Sequence, residues 1–143
     1  MTGLNIKYQK IHPDAKQPSK SHFEDAGWDL YAVEDQWIWP FIPNKIRLGI
    51  KIAVPKAHVG LIWDRSGMAI KKSLHRVAGV IDSPYRGEWI VGMLRFFPWP
   101  IKIKAGDRVA QVLIQEIPLH IIWEEADLDE TNRGDGGFGS TGR

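Results

Sequence analysis

The 143-residue chain contains no cysteine, which removes disulfides and thiolate metal sites from consideration. No apolar run approaches the roughly 20 residues needed to cross a bilayer. The opening stretch, MTGLNIKYQK, lacks the apolar core of a signal peptide. The protein is therefore expected to be soluble and cytoplasmic, without a membrane partner. An excess of one charge is also missing. Nineteen Lys and Arg against seventeen Asp and Glu leave a net charge of +2, too little to argue for nucleic acid as a partner. Nor does any long stretch hold the 3.6-residue apolar period of an amphipathic helix.

What is present is β structure. Residues 46–54 (IRLGIKIAV) alternate apolar and other residues with the period of a half-buried strand. Shorter runs rich in β-branched and aromatic residues lie at 4–8, 37–39, 59–63, 89–96, 101–103 and 108–117, separated by Pro, Gly, Asn or Asp. A turn or two of helix is expected near residues 66–72. A chain of this length fits one domain of roughly 100–200 residues, and many short strands with frequent turns predict an all-β sandwich or barrel. The composition changes near Asp129, so residues 1–129 are read as the body and 130–143 as an arm. Most of the seven tryptophans are expected in the core or at subunit contacts.

Five segments carry more than structure. Residues 26–32 (AGWDLYA) set Asp29 among apolar and aromatic neighbours; residues 65–69 (RSGMA) open the expected helix with a guanidinium, a hydroxyl and free N–H groups. That second segment reads equally well as an ordinary helix cap. Residues 79–89 (GVIDSPYRGEW) place Asp82 at a strand end, where a carboxylate can activate water, and Tyr85 in the following turn. Residues 106–114 (GDRVAQVLI) put Gln111 in an apolar strand, where its amide needs partners or a ligand. The fifth is the glycine-rich end, 133–143 (RGDGGFGSTGR). It cannot bury a core, yet its backbone can approach an anion closely while Phe138 covers a flat ring and Arg133, Ser140 and Thr141 bind charge.

In their order and spacing, AGWDLYA, RSGMA, GVIDSPYRGEW, GDRVAQ and RGDGGFGSTG resemble the five motifs of the trimeric deoxyuridine triphosphatases, over nearly the whole chain. The resemblance implies a jelly-roll β-sandwich assembled as a homotrimer, with active sites at subunit junctions and a flexible arm closing over them. It implies hydrolysis of dUTP to dUMP and pyrophosphate with Mg²⁺, by attack of water on the α-phosphorus. That reaction keeps uracil out of DNA and supplies dUMP for thymidylate synthesis. By the same resemblance Asp82 is the general base and Gln111 sits beside the phosphates and the attacking water. Asp29 reaches the metal through its water shell, and Arg65, Ser66 and Gly67 cradle phosphate. The base enters a hairpin at about residues 74–79, with Gly79 and Ile81 as substrate-binding positions, while Tyr85 packs beneath the sugar. The arm contributes Arg133, Phe138 stacked on the base, Gly139, Ser140 and Thr141.

Fixing eleven backbone residues costs roughly 10–20 kcal/mol, whereas a hydrogen bond to a charged group returns about 1.5–3 kcal/mol. Part of the arm is therefore expected to be pre-ordered on a neighbouring subunit, or only part of it to order. Several positions depart from the family pattern: Pro84 beside Tyr85, Asp64 before Arg65, Trp28 in the first motif, Arg76, and the Arg95-Phe96-Phe97 run. Asp64 is placed to pair with Arg65 and weaken its phosphate contact. Two other readings use the same residues. One is a dCTP deaminase-like enzyme, for which Glu88 is the nearest candidate glutamate but the glycine-rich arm is foreign. The other is a dUTP-sensing interaction protein in which hydrolysis is secondary.

Overall fold

The computed structural model describes residues 4–137. Strands β1 (Lys7–Lys10), β2 (Trp28–Tyr31), β3 (Gln36–Ile38), β4 (Asn44–Arg47), β5 (Ile50–Ala53) and β6 (His58–Asp64) precede a helix, α1 (Ser66–Lys72). After it come β7 (Leu74–Val77), β8 (Val80–Ile81), β9 (Ile90–Arg95), β10 (Ile101–Ile103) and β11 (Arg108–Glu116). One sheet has the order β2-β11-β6-β8 and a second β4-β9-β7, with the pairs β1-β5 and β10-β3 completing the frame. Every strand pairing is antiparallel.

The inward residues of these strands meet in one core. Leu30, Ile62, Val109 and Val112 from the first sheet pack with Ile46, Leu74, Val91 and Met93 from the second, joined by Ile50, Ile52, Ile38 and Ile103. This is the all-β sandwich that the strand pattern predicts, of the jelly-roll type that the resemblance implies. Burial of such side chains supplies about 25 cal/mol per Å² of apolar surface, and the alternation along each strand decides which residues contribute it.

The long alternating run at 46–54 is not one strand. Ile46, Leu48, Ile50, Ile52 and Val54 are all buried as the period demands, but Gly49 adopts φ +65° and the chain turns a corner there. β4 pairs with β9 before the corner, and β5 pairs with β1 after it. The corner is held by Leu48 N–H donating to Trp89 O (3.3 Å), Trp89 N–H to Ile50 O (2.9 Å) and Ile11 N–H to Gly49 O (2.9 Å). The periodicity of burial survives because both halves face one core, so the sheet change leaves no trace in it. The first strand is displaced too, from 4–8 to Lys7–Lys10, and all four of its residues are exposed. Only its backbone pairing with β5 defines it, which apolar patterning does not report. Strands β2 and β8 are short additions to the sequence reading, and β7 forms within the expected hairpin.

Regular structure ends at Glu116, and residues 117–137 form turns and irregular chain. Much of this stretch is apolar and exposed: Leu119 (93%), Ile121 (81%), Ile122 (89%) and Trp123 (69%).

At Gly49 a Cβ would lie 2.8 Å from both His12 Cβ and Val33 Cγ2, in a backbone conformation that side chains disfavour. Gly49→Ala is expected to destabilise the fold by about 2 kcal/mol or more, combining backbone strain with overpacking. A urea midpoint equal to that of the wild type would show that the corner can re-form without glycine.

Candidate active site

Strand β11 brings distant parts of the chain together. It pairs on one side with β2, placing Gln111 opposite Asp29, and on the other with β6, placing Gln111 opposite Trp63. A register shift between Arg108 and Ala110 aligns Arg108 with Tyr31. Because β6 runs into α1 one residue beyond Asp64, Arg65, Ser66 and Gly67 emerge beside the same three strands. The result is a cleft of about 340 Å³ whose lining includes Asp29, Arg65, Ser66, Gly67 and Gln111, with Gly27 and Asp25 on its rim.

Asp29 is the electrostatic centre of this cleft. Its Oδ1 accepts from Arg65 Nε at 2.7 Å and its Oδ2 from Arg108 Nη1 at 3.2 Å. The two contacts are unequal. The Arg65 side chain is 27% exposed and that of Arg108 47%, so the Arg108 pair is the more strongly screened by water and contributes less than about 1 kcal/mol. Asp29 thus accepts from two guanidinium groups; of these Arg65 lines the cleft, as does Asp25, whose carboxylate accepts the His22 N–H at 2.8 Å. The Arg65 guanidinium is the group there that suits an anion.

The helix α1 starts with Arg65 in extended conformation (φ −88°, ψ 133°), and no side chain caps it. Ser66 is thus the first helical residue rather than a cap, and its hydroxyl and the Gly67 backbone border the cleft. A Cβ on Gly67 would meet nothing within 4 Å, so it is the open space, not crowding, that marks this position. Gln111, which is half-buried, donates from Nε2 to Asp64 O at 2.8 Å. Its other end lies so close to the first-motif loop that a Cβ on Gly27 would be 2.4 Å from Gln111 Oε1.

Asp64 does not pair with Arg65. Its Oδ1 accepts the Arg76 backbone N–H at 2.7 Å and its Oδ2 lies 3.0 Å from His75 Nδ1. Arg65 is free of that competition and is committed to Asp29 instead. Arg108, which sequence reasoning did not single out, is the addition to the site; its signal was its position inside the quoted GDRVAQ segment, two residues after Gly106.

A second cleft of about 320 Å³ is lined by Arg76, Ala78, Gly79, Val80 and Ile81 of the β7–β8 hairpin, with Gly92 of β9 among the other residues around it. Ala78 (φ 65°) and Gly79 (φ 136°) make the turn, and Gly79 O accepts Ile62 N–H at 2.8 Å. Asp82 and Tyr85 line neither cleft. They occupy an exposed turn closed by Tyr85 N–H to Asp82 O (3.1 Å), with Tyr85 Oη donating to Glu88 O at 2.9 Å. Within one chain, therefore, the predicted phosphate residues gather in one cleft and the predicted base residues in another. Arg133 lies in a separate turn, its Nε donating to Gly136 O at 2.9 Å. Phe138, Gly139, Ser140 and Thr141 lie outside the described residues.

Glu88 is occupied structurally. Its carboxylate accepts Arg47 Nε at 3.1 and 3.2 Å and the Gly49 N–H at 3.1 Å, tying the β4–β5 corner to the loop before β9. Among the described residues no three His, Cys, Asp or Glu side chains cluster as an inner metal shell. Both Asp29 oxygens accept from guanidinium groups, so a divalent ion would meet this carboxylate only through its water shell and take its other ligands from water and phosphate.

An antiparallel β-sandwich with an anion-suited cleft where three strands meet a helix start, and a separate cleft lined by hairpin backbone, defines the class. The dUTPase family model matches residues 14–142. The deoxyuridine 5'-triphosphate nucleotidohydrolase of Mycobacterium leprae is 41% identical over 141 residues, covering 93% of this chain and 92% of the relative. That of Rhodococcus erythropolis is 41% identical over 142 residues, covering 97% and 87%. Among solved structures, a dUTPase of Staphylococcus bacteriophage 80alpha with dUpNHpp superposes with a TM-score of 0.88 at 23% identity, covering 97% of this chain and 99% of that one. The chain belongs to the dUTPase family.

The Gly27–Gln111 approach makes a test of how the cleft is held. In Gly27→Ala the clash falls on the far end of a flexible side chain, so the unfolding midpoint is expected to move by no more than about 1 kcal/mol equivalent. The Gln111 side chain must swing away from Asp64, which its side-chain amide resonances would report. Unshifted resonances would mean that the 26–28 loop yields instead.

Proposed function

We propose that this protein is a dUTP diphosphatase, converting dUTP and water to dUMP and pyrophosphate. The observation that carries the reading is the cleft in which Asp29, Arg65, Ser66, Gly67 and Gln111, drawn from three family motifs, converge on one anion-suited surface. Arg65, with the hydroxyl of Ser66 and the backbone of Gly67, binds the phosphate chain. Gln111, held by Asp64 O, orients the α-phosphate and the attacking water. Asp82 takes the proton from that water as it attacks phosphorus, and the pyrophosphate leaves from the opposite side. Little of this demands covalent participation by the protein, since phosphoryl transfer responds mainly to positioning and charge stabilisation. Mg²⁺, held through its waters by Asp29, would supply charge neutralisation for the triphosphate.

Gly79 and Ile81 belong to the cleft for uracil and Tyr85 to the sugar contact. Arg133, Phe138, Gly139, Ser140 and Thr141 belong to the arm, residues 130–143, that covers the bound nucleotide. The catalytic Asp82 borders neither cleft of its own chain. We therefore read the working site as composite, formed where subunits of a homotrimer meet. Exposed Leu119, Ile121 and Ile122 support that assembly, because three large apolar side chains so near in sequence and open to water are what a partner subunit covers. A cytoplasmic location accords with this reading; among the described residues no helix is long and apolar enough to cross a membrane.

Pyrophosphate release from dUTP, dCTP, dTTP and UTP with Mg²⁺ tests the function directly, and release from dUTP alone is expected. Asp82→Asn should lower kcat by about 10²–10⁴-fold, the span of general-base contributions, with dUTP affinity near that of the wild type. Lost binding would recast Asp82 as a ligand contact. A chain ending at Thr131 is expected to keep its oligomeric state in light scattering and to lose turnover; normal turnover would remove the arm from the mechanism.

A further inference from the structure

The hairpin that borders the second cleft is shaped by one of its own side chains. Arg76, on β7, reaches forward along its own turn: its Nη1 donates to Ala78 O at 2.8 Å. Its guanidinium lies 4.6 Å from the centre of the Trp63 ring on β6. Its backbone N–H is bonded to Asp64 Oδ1 at 2.7 Å. The same residue is thus tied at both ends, to the strand that leads into the phosphate cleft and to the turn at the mouth of the base cleft. Its stem also packs against that turn, since a Cβ on Gly79 would lie 3.4 Å from Arg76 Cδ. Ala78 has a side chain in the left-handed region (φ 65°). Such a conformation persists only when its surroundings impose it, and the hydrogen bond from Arg76 is one such constraint.

We propose that Arg76 determines base specificity: it positions the Ala78–Gly79 turn and places a fixed positive charge at the cleft that favours uracil over cytosine. The inference rests on the dUTP reading of the site. Uracil presents two carbonyl acceptors on either side of N3–H, whereas cytosine replaces one of them with a 4-amino donor. A guanidinium has five N–H donors and no acceptor. The bond to Ala78 uses one of them, and Arg76 is among the residues lining the cleft. Cytosine keeps two acceptors, O2 and N3, so the discrimination falls at the 4-position, where a donor and a positive charge match uracil O4 and oppose the amino group of cytosine. The Trp63 ring, 4.6 Å from the guanidinium, limits its freedom, so the charge is in place before the base arrives. Gly79 O, already bonded to Ile62 N–H, fixes the other side of the turn.

The test uses the full-length chain and reads base recognition apart from phosphate chemistry. Dissociation constants for dUMP and dCMP are measured by calorimetry for the wild type, Arg76→Met and Arg76→Lys, alongside kcat and KM for dUTP. Arg76→Met keeps an apolar stem against Trp63 and removes the donors. It is expected to weaken dUMP about tenfold, the loss of one hydrogen bond from a charged donor. Binding of dCMP should change little, and saturated kcat should stay within about twofold while KM rises. Arg76→Lys should recover part of the dUMP preference. Equal losses for dUMP and dCMP, or a fall in kcat with unchanged KM, would mark Arg76 as a general structural residue and overturn the proposal, as would an unchanged dUMP affinity. If Arg76→Met does not fold, Arg76→Gln, which keeps a donor for Ala78 and loses the charge, is read by the same two ratios. A wild type that neither binds dUMP nor hydrolyses dUTP would overturn the functional reading itself. A wild type that does both while the variants match it would overturn only the role of Arg76.

Discussion

The structure depends on the pairing of β11 with two strands at once. By hydrogen bonding to β2 on one edge and β6 on the other, it fixes Asp29, Gln111 and the Trp63–Arg65 segment in adjacent rows. Antiparallel register leaves no freedom here, because a slip of one residue would turn Val109 and Val112 out of the core. Core packing therefore sets the geometry of the cleft. Asp29 and Gln111 stand on strands whose register is enforced by apolar burial some distance away, and Arg65, Ser66 and Gly67 follow directly from the end of one of those strands.

Around that frame, charge is arranged by pairs of unequal strength. Asp29 takes its close bond from Arg65 and a longer one from Arg108. Asp64, one residue before Arg65, is turned away from it and bonded to the backbone and imidazole of the next hairpin. The consequence is connection between the two clefts. Asp64 O holds Gln111 in the first, and the Asp64 carboxylate holds Arg76 beside the second. A single acidic residue at the end of β6 thus links the part of the site suited to phosphate with the part suited to a base.

Buried charge elsewhere follows the same logic of stapling. Arg95 is 6% exposed; its Nε donates to Trp99 O at 2.5 Å and its Nη1 to Lys72 O, and desolvation lowers its pKa from the usual arginine value. It joins the end of α1 to the β9–β10 turn. Asn44 does the equivalent for the β3–β4 turn, exchanging hydrogen bonds with Trp39 and Ile42. Both are polar residues inside a sandwich edge whose partners are backbone groups from turns, which is how buried polar atoms are ordinarily satisfied.

Much of this was legible in the chain itself. Alternation at 46–54 identified five buried residues, and the motif residues Asp29, Arg65, Ser66, Gly67 and Gln111 were named before their strands were known to touch. Periodicity is a local property, so it reports which side of a strand faces a core but not which sheet the strand joins; hence the corner at Gly49 and the exposed strand β1 were invisible. Arg108 went unselected because nothing in GDRVAQ distinguishes a surface arginine from one that a register shift aims at Asp29. The sequence alone determined the class of fold, the family and the kinds of side chain available. Tertiary structure decided which of them meet, because hydrogen-bond register and long-range burial act between residues far apart in the chain, 79 positions in the case of Asp29 and Arg108.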